Sequence, residues 1–255
     1  FAPSDAEIEP GVNYGNGGVT TFKGTLDTSE DVTINGNSAT GDAGGAKIEF
    51  GGKNGLNITN VGDLTINGGS DTNTITGTPT NINGNFIVND AKGTAADTID
   101  LTGISATGAV NIQAPEAGVT KFDVSVANAA SATLNAGNTA NATMSVAGVD
   151  GGVSLTAGDN GSTMSVTATS EVQPDSISMK AGAGNDTVTL TGIEAADEGT
   201  NPVLSVDLGD GKNSLKVSDG TNLTGWKTSI TGANITLAGK ANLGDLSGIT
   251  DSTIS

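Results

Sequence analysis

The sequence predicts an all-β chain folded as a parallel β-solenoid with rungs of about 24 residues. Three observations predict it. Short runs alternate Val, Ile or Leu with Thr, Ser or Asn and are closed off by Gly, Asn and Asp, which is the period and punctuation of strands and turns. The segment from Lys92 to Gly103 lies over the segment from Ala181 to Gly192 without a gap, matching Asp97 to Asp186, Ile99 to Val188 and Leu101 to Leu190. Hydrophobic residues make up only 35% of the 255 residues and aromatics 3%, with 39 Gly. That is too little bulk for a thick core, but enough for a thin layer of small and β-branched side chains in each rung. An antiparallel β-sandwich of short strands is the alternative that the same pattern allows.

Taken in order, residues 1–18 stand apart. Two prolines, Pro3 and Pro10, and the acids Asp5, Glu7 and Glu9 oppose helix and favour an extended N-terminal arm. Such an arm either caps the stack or adds as a strand to a neighbouring subunit. Residues 19–233 carry the repeats. Strands are expected at Val19 to Phe22, Val32 to Ile34, Ile48 to Phe50, Leu56/Ile58, Leu64/Ile66, Ile75, Ile82 and Phe86/Val88. They continue through Ile99/Leu101, Val110/Ile112, Phe122 to Val126, Leu134, Met144/Val146, Val153/Leu155, Met164/Val166 and Ile177/Met179. Val188/Leu190, Val203 to Val206, Leu215/Val217 and Ile230 complete the series. Glycines 45, 69, 93, 118, 137, 158, 182 and 209 serve as turn anchors spaced about 24 residues apart. Residues 234–255, with Ile235/Leu237, Leu243, Leu246, Ile249 and Ile254, read as a C-terminal capping rung that covers an open strand edge. Trp226 and Leu223 mark the approach to that cap.

Charge and composition exclude several chemistries. The net charge is −18, from 28 acids against ten lysines, with no Arg, His or Cys. An acidic, Arg-free surface argues against nucleic acid and anionic membranes as partners. Without His or Cys there are no His-based triads, thiol nucleophiles or common zinc and haem ligand sets. Oxygen donors remain, and they suit calcium. No apolar run of about 18 residues is present to insert as a membrane helix. Phe1-Ala2-Pro3 is compatible with a mature end left by removal of a signal segment.

One motif carries chemistry. Ala181-Gly182-Ala183-Gly184-Asn185-Asp186-Thr187-Val188 combines a glycine turn, an exposed Asn-Asp corner and the start of a strand. It resembles one copy of the RTX nonapeptide, Gly-Gly-x-Gly-x-Asp-x-U-x, the calcium-binding repeat of secreted bacterial β-roll proteins. The resemblance implies calcium as a conditional cofactor and assigns Gly182, Gly184 and Asp186 to its site. Looser copies place Asn213 and Asn73 at the Asp position and keep Asp97, so that Asp210, Asp97, Asp71 and Asp207 are the further candidate ligands. RTX copies follow every nine residues, whereas these lie about 24 apart. A shared site therefore forms only between stacked rungs. The competing reading is that Asp and Asn simply make the turns.

The texture of Thr-Ile-Thr runs with Gly-Asn punctuation also looks like the stalks of bacterial adhesins and surface-layer proteins. The function expected is that of an extracellular or cell-surface structural protein, not an enzyme. It would self-assemble as a homo-oligomer through its solenoid ends or its N-terminal arm, Phe1 to Gly18, and form a surface layer, filament or stalk. A glycan- or ice-binding module is the alternative, resting on the alternation of Thr187, Thr189 and Thr191. A polysaccharide-degrading β-helix enzyme is the third, with Asp97/Asp100 and Asp207/Asp210 as its nearest acid pairs.

Overall fold

The structure is a computed structural model that describes residues 19–36, 44–90, 96–115, 118–195, 197 and 199–255. The extended arm expected over residues 1–18 lies outside the described residues, as does the anchor Gly93. The strands stack in parallel into two sheets, one of 13 strands and one of ten, forming a solenoid of about eight turns. There is no helix among the described residues. Every pairing between the strands is parallel, and the lone antiparallel contact is a bridge between Thr169 and Val172. This rules out the sandwich alternative. From Leu64 onward the chain alternates sides, one strand in each sheet, whereas before it the larger sheet takes strands in consecutive pairs, Val19–Phe22 with Gly24–Asp27 and Gly45–Phe50 with Leu56–Asn60.

Parity explains the architecture. In strands such as Thr-Val-Thr-Leu-Thr, residues 187–191, Val188 and Leu190 point inward while the threonines point out. Inward residues then stack in columns across rungs. One column of the larger sheet runs Leu101, Val124, Met144, Met164, Val188, Leu215 and Ile235, and all are buried. Facing it across the thin interior, the smaller sheet contributes Ile34, Ile66, Val88, Ile112, Leu134, Leu155, Met179, Val206 and Ile230, all buried as well. Aromatic bulk gathers near the N-terminal end, where Phe50 and Phe86 meet edge to face at 5.9 Å between ring centres.

The strands expected from the sequence form, with Ile82 reduced to a bridge between Val61 and Ala106. One strand, Gly24–Asp27, is additional; only Leu26 is buried in it, too weak an alternation to read. The gapless overlay of the two best repeats is not the register of the stack. Leu101 stacks in the column of Val188, not that of Leu190, so the overlay is displaced by two residues. A displacement of two keeps every side chain on its own face, which is why the sequence pattern conceals it. An extra residue at Gly103 (φ 63°), where the register against the next strand shifts, widens the difference, setting Ile104 in the column of Leu190.

The glycine anchors hold only in part. Glycines 158, 182 and 209 do stack, and a Cβ on Gly209 would sit 2.3 Å from the Gly182 carbonyl oxygen. Gly45 instead lies against Thr72, and the Gly118 carbonyl accepts from Asp97 N–H. Corners vary in length, so contacts between equivalent positions span from 19 to 32 residues of sequence. Residues 234–237 continue the stack on residues 214–217, and the short strands 249–250 and 253–254 close the described chain.

Candidate functional site

The interior of the solenoid is apolar except at its corners, where two short polar ladders run from rung to rung. The first uses Ser162, Asp186 and Asn213, successive members of one column just ahead of the apolar strand positions. Asp186 N–H donates to Asn213 Oδ1 at 3.0 Å, and Ser162 Oγ donates to Asp186 Oδ1 at 2.8 Å. Asn213 Nδ2 turns the other way and donates to the carbonyls of Leu208 and Gly232, at 2.8 and 3.1 Å. An Asn thus serves both an N–H and the turn carbonyls, whereas an ionised Asp can only accept. Asp186 shows the difference. It is 1% exposed, and its Oδ2 has no hydrogen-bond partner. Burial holds its carboxyl above the usual range, opposed by the hydrogen bonds from Ser162. The corner read from the sequence is therefore half right: Asn185 faces solvent and Asp186 faces the interior.

Gly182 and Gly184 are where they are because rungs approach too closely for a side chain. A Cβ on Gly182 would lie 2.0 Å from Asp159 Oδ1, and one on Gly184 would lie 2.0 Å from Gly161 N. Asp159, a residue the sequence did not single out, accepts the Ala183 N–H at 3.1 Å and so caps this turn from the rung before. The remaining candidates lie apart. Asp207 and Asp210 are exposed; Asp207 Oδ1 accepts from Gly209 N–H and the Asp210 carbonyl accepts from Asn213, both within the turn. Asp71 is half-buried, and its carbonyl accepts from Asn73 Nδ2.

The second ladder uses Asn73 and Asp97, in a column one inward position ahead of the first. Asn73 is fully engaged. Its Oδ1 accepts from Ala46 and Gly69 N–H, and its Nδ2 donates to the Gly69 carbonyl at 2.9 Å and to Asp90 Oδ1 at 2.8 Å. Its own N–H donates to Asp97 Oδ1 at 2.6 Å. Two carboxylates therefore hang on one asparagine. Asp90 and Asp97 are each 0% exposed, and the Oδ2 of each is buried without a hydrogen-bond partner. Burial, with the Asp97 charge adding to it, pushes the Asp90 carboxyl up to about 8. Burial also raises Asp97, against the two hydrogen bonds from Asn73.

Sequence reasoning missed Asp90 because its neighbours in sequence say nothing about it. Its neighbours in the stack do. The residues following the strand ends of the smaller sheet run Gly36, Gly68, Asp90, Ala114, Ala136, Ala157 and Ala181 before Leu208, Gly232 and Asp251 end the series, so from Gly36 to Ala181 a single acid stands in a column of small residues. Only the register exposes the anomaly.

The acid pairs considered for catalysis are placed differently. Asp97 points in, while Asp100 points out and pairs with Lys121. Three residues apart on a strand means opposite faces. On the outside, a cleft of about 460 Å³ opens where two corners bulge, lined by Gln173, Asp175, Glu194, Asp197, Asn201 and Trp226 among others. Trp226 is 5% exposed, and its indole N–H donates to the Glu194 carbonyl at 2.9 Å, so the ring serves mainly as packing. The threonine ladder is interrupted: Thr189 follows Ser165 but meets Lys216 on its other side.

Against calcium, the donor sets differ. The turn at Gly182 and Asp186 brings a single buried carboxylate, and no group of three or more acidic side chains placed to hold a metal occurs among the described residues. The Asp90–Asp97 corner brings two, each with an oxygen in want of a partner. Comparison with protein-family models, with curated proteins and with solved structures found no match to this chain.

Proposed function

We propose that this chain is an extracellular structural protein, a repeat rod that self-assembles into a surface layer, filament or adhesin stalk. One observation carries the reading. The central outward column of the smaller sheet runs Thr33, Thr65, Ile87, Asn111, Thr133, Ser154, Ser178, Ser205 and Ser229 without a single charge. This occurs on a chain of net charge −18. Beside it, Asn35, Asn67 and Asn89 are joined side chain to side chain at 2.7 and 3.0 Å. Both columns are free of charge as far as Thr156, before Lys180 and Asp207 enter the second one, and a charge-free strip with its amides already ordered packs against a second rod without desolvating ions. Regular spacing lets one contact repeat along the whole length. Calcium belongs to this reading as a stabiliser of acidic corners.

The test is imaging and sedimentation of the purified chain, with and without chelator. Assemblies are expected. The double variant Ser154→Glu, Ser178→Glu should lose them while keeping its melting temperature, because both side chains point out of the sheet, Ser178 exposed and Ser154 half-buried. A strictly monomeric chain under all conditions would retire the proposal.

The cleft beside Trp226 favours a second reading, glycan binding, since its carboxylates and amides suit sugar hydroxyls. Glycan binding that is lost in Asp175→Asn with assembly intact would favour it.

A further inference from the structure

We propose that the buried corner formed by Asp90, Asp97 and Asn73 binds a divalent metal cation of the calcium class, held by Asp90 Oδ2 and Asp97 Oδ2. The proposal does not depend on the assembly reading. It also differs from the site implied by the nonapeptide, which contains no counterpart of Asp90.

The argument starts from two exceptions that coincide on one rung. In the ladder position, Asn73 is complete in itself, since its amide meets both an N–H above and the carbonyls of its own turn. Asp97 holds the next position of the same column. It reproduces the acceptor but brings a charge and an unpartnered oxygen in place of the donor. In the strand-end column, Gly or Ala fills the corner on the rungs to either side, at Gly36, Gly68, Ala114 and Ala136. Asp90 puts a buried carboxylate there, whereas Asp251, at the last strand end, is exposed; Asp90 is so close that a Cβ on Gly68 would lie 2.1 Å from Asp90 Oδ1. Either exception alone would be a costly buried acid. Together they bring two carboxylates onto one asparagine, each accepting through Oδ1 from Asn73 and each with Oδ2 buried and unpartnered.

Buried charges persist when they are paired or coordinate a metal. No Lys among the described residues forms an ion pair with either acid: the described ion pairs join Lys121 to Asp100 and Asp123. Hard oxygen donors, with the Gly69 and Asp71 carbonyls also gathered on Asn73, match the ligand preference of calcium and not that of softer metals. Lys92, which lies between the two acids in sequence, is outside the described residues, and the experiment includes it.

The chain is stripped with chelator at neutral pH and titrated with Ca²⁺ by calorimetry, with melting temperature followed in parallel. Saturable binding is expected, with a rise of about 5–10 °C when Ca²⁺ exceeds its Kd a hundredfold. Asp90→Ala restores the residue found on neighbouring rungs, and Asp97→Asn restores the residue found at position 73. Both variants, and the isosteric Asp90→Asn, should fold in chelator at least as stably as the wild type and lose the Ca²⁺ response. Asp186→Asn and Lys92→Ala should retain it. Absence of heat and of any melting shift with Ca²⁺, Mg²⁺ or Mn²⁺ would overturn the proposal and leave a proton shared between the acids. A response that survives Asp90→Ala, or that disappears with Asp186→Asn instead, would also overturn it. So would an unresponsive wild type that is destabilised by Lys92→Ala, since the ammonium would then be the counter-charge.

Discussion

Replacing Asn213 with Ala tests the ladder directly. The side chain is 1% exposed and bridges two rungs. Its loss leaves Asp186 N–H without its acceptor and removes the 2.8 Å donor from the Leu208 carbonyl. Each buried group left unpaired costs about 1–3 kcal/mol. The longer contacts to Gly209, Asp210 and Gly232 at 3.3, 3.3 and 3.1 Å add less. A total near 3–4 kcal/mol follows, because the turn relaxes and water reaches part of the gap. For a chain of this size that is a fall in melting temperature of roughly 10 °C. Urea unfolding followed by circular dichroism supplies the free energy, and a thermal melt supplies the temperature. Asn213→Asp sharpens the test. It keeps the acceptor for Asp186 N–H but points an oxygen at the turn carbonyls, so it should be at least as unstable as Asn213→Ala at neutral pH and recover in acid, where the protonated carboxyl donates again. A melting temperature for Asn213→Ala within about 2 °C of wild type would refute the claim that the ladder holds adjacent rungs together.

Three further outcomes are expected. Asp186→Asn places a donor where Oδ2 is now unpartnered, and should stabilise the chain in chelator by about 1 kcal/mol in urea unfolding. The folded Asp186 carboxyl titrates above its unfolded value, so the folded state binds the extra proton. The stability contributed by this group should therefore be fully present below the unfolded carboxyl range and be lost as pH rises through the folded pKa; Asp186→Asn should flatten that part of a pH series of melts. Gly211 has φ 116°, and a Cβ there would lie 2.0 Å from the Gly184 carbonyl oxygen, whereas Gly220, at φ 83°, has open space around it. Gly211→Ala should cost more than about 3 kcal/mol in the same unfolding assay, and Gly220→Ala only about 1–2 kcal/mol, the cost of a left-handed backbone alone.

The fold was legible because its signal is local. Val188, Leu190 and their equivalents alternate strongly enough to give face and strand, and a glycine near each turn gives the approximate period. Register was not legible. Leu101 and Leu190 look equivalent, and only stacking sets Leu101 against Val124 and thence Val188. The candidate site follows the same division. Asp186, Asp97, Asn73 and Asn213 were found because they precede apolar alternation within a motif. That Asp186 faces inward, and that Asp90 and Asp97 both bind Asn73, depends on how corners of unequal length close. Asp207 and Asp210 carried the same sequence signal but lie outside, since the signal reports a turn and not which way its acids point.

The tolerance of the corners to length, set against the strict parity of the strands, makes the molecule a ruler marked in whole rungs. Ala142 pairs with Ser162, so excising residues 143–162 would join Ala142 to Thr163 in the correct phase. The product should be the same rod, shorter by one strand spacing of about 4.8 Å. Removing one residue fewer would turn the apolar face of the spliced strand toward water. Length in such a chain changes by counting, in steps that the core does not register.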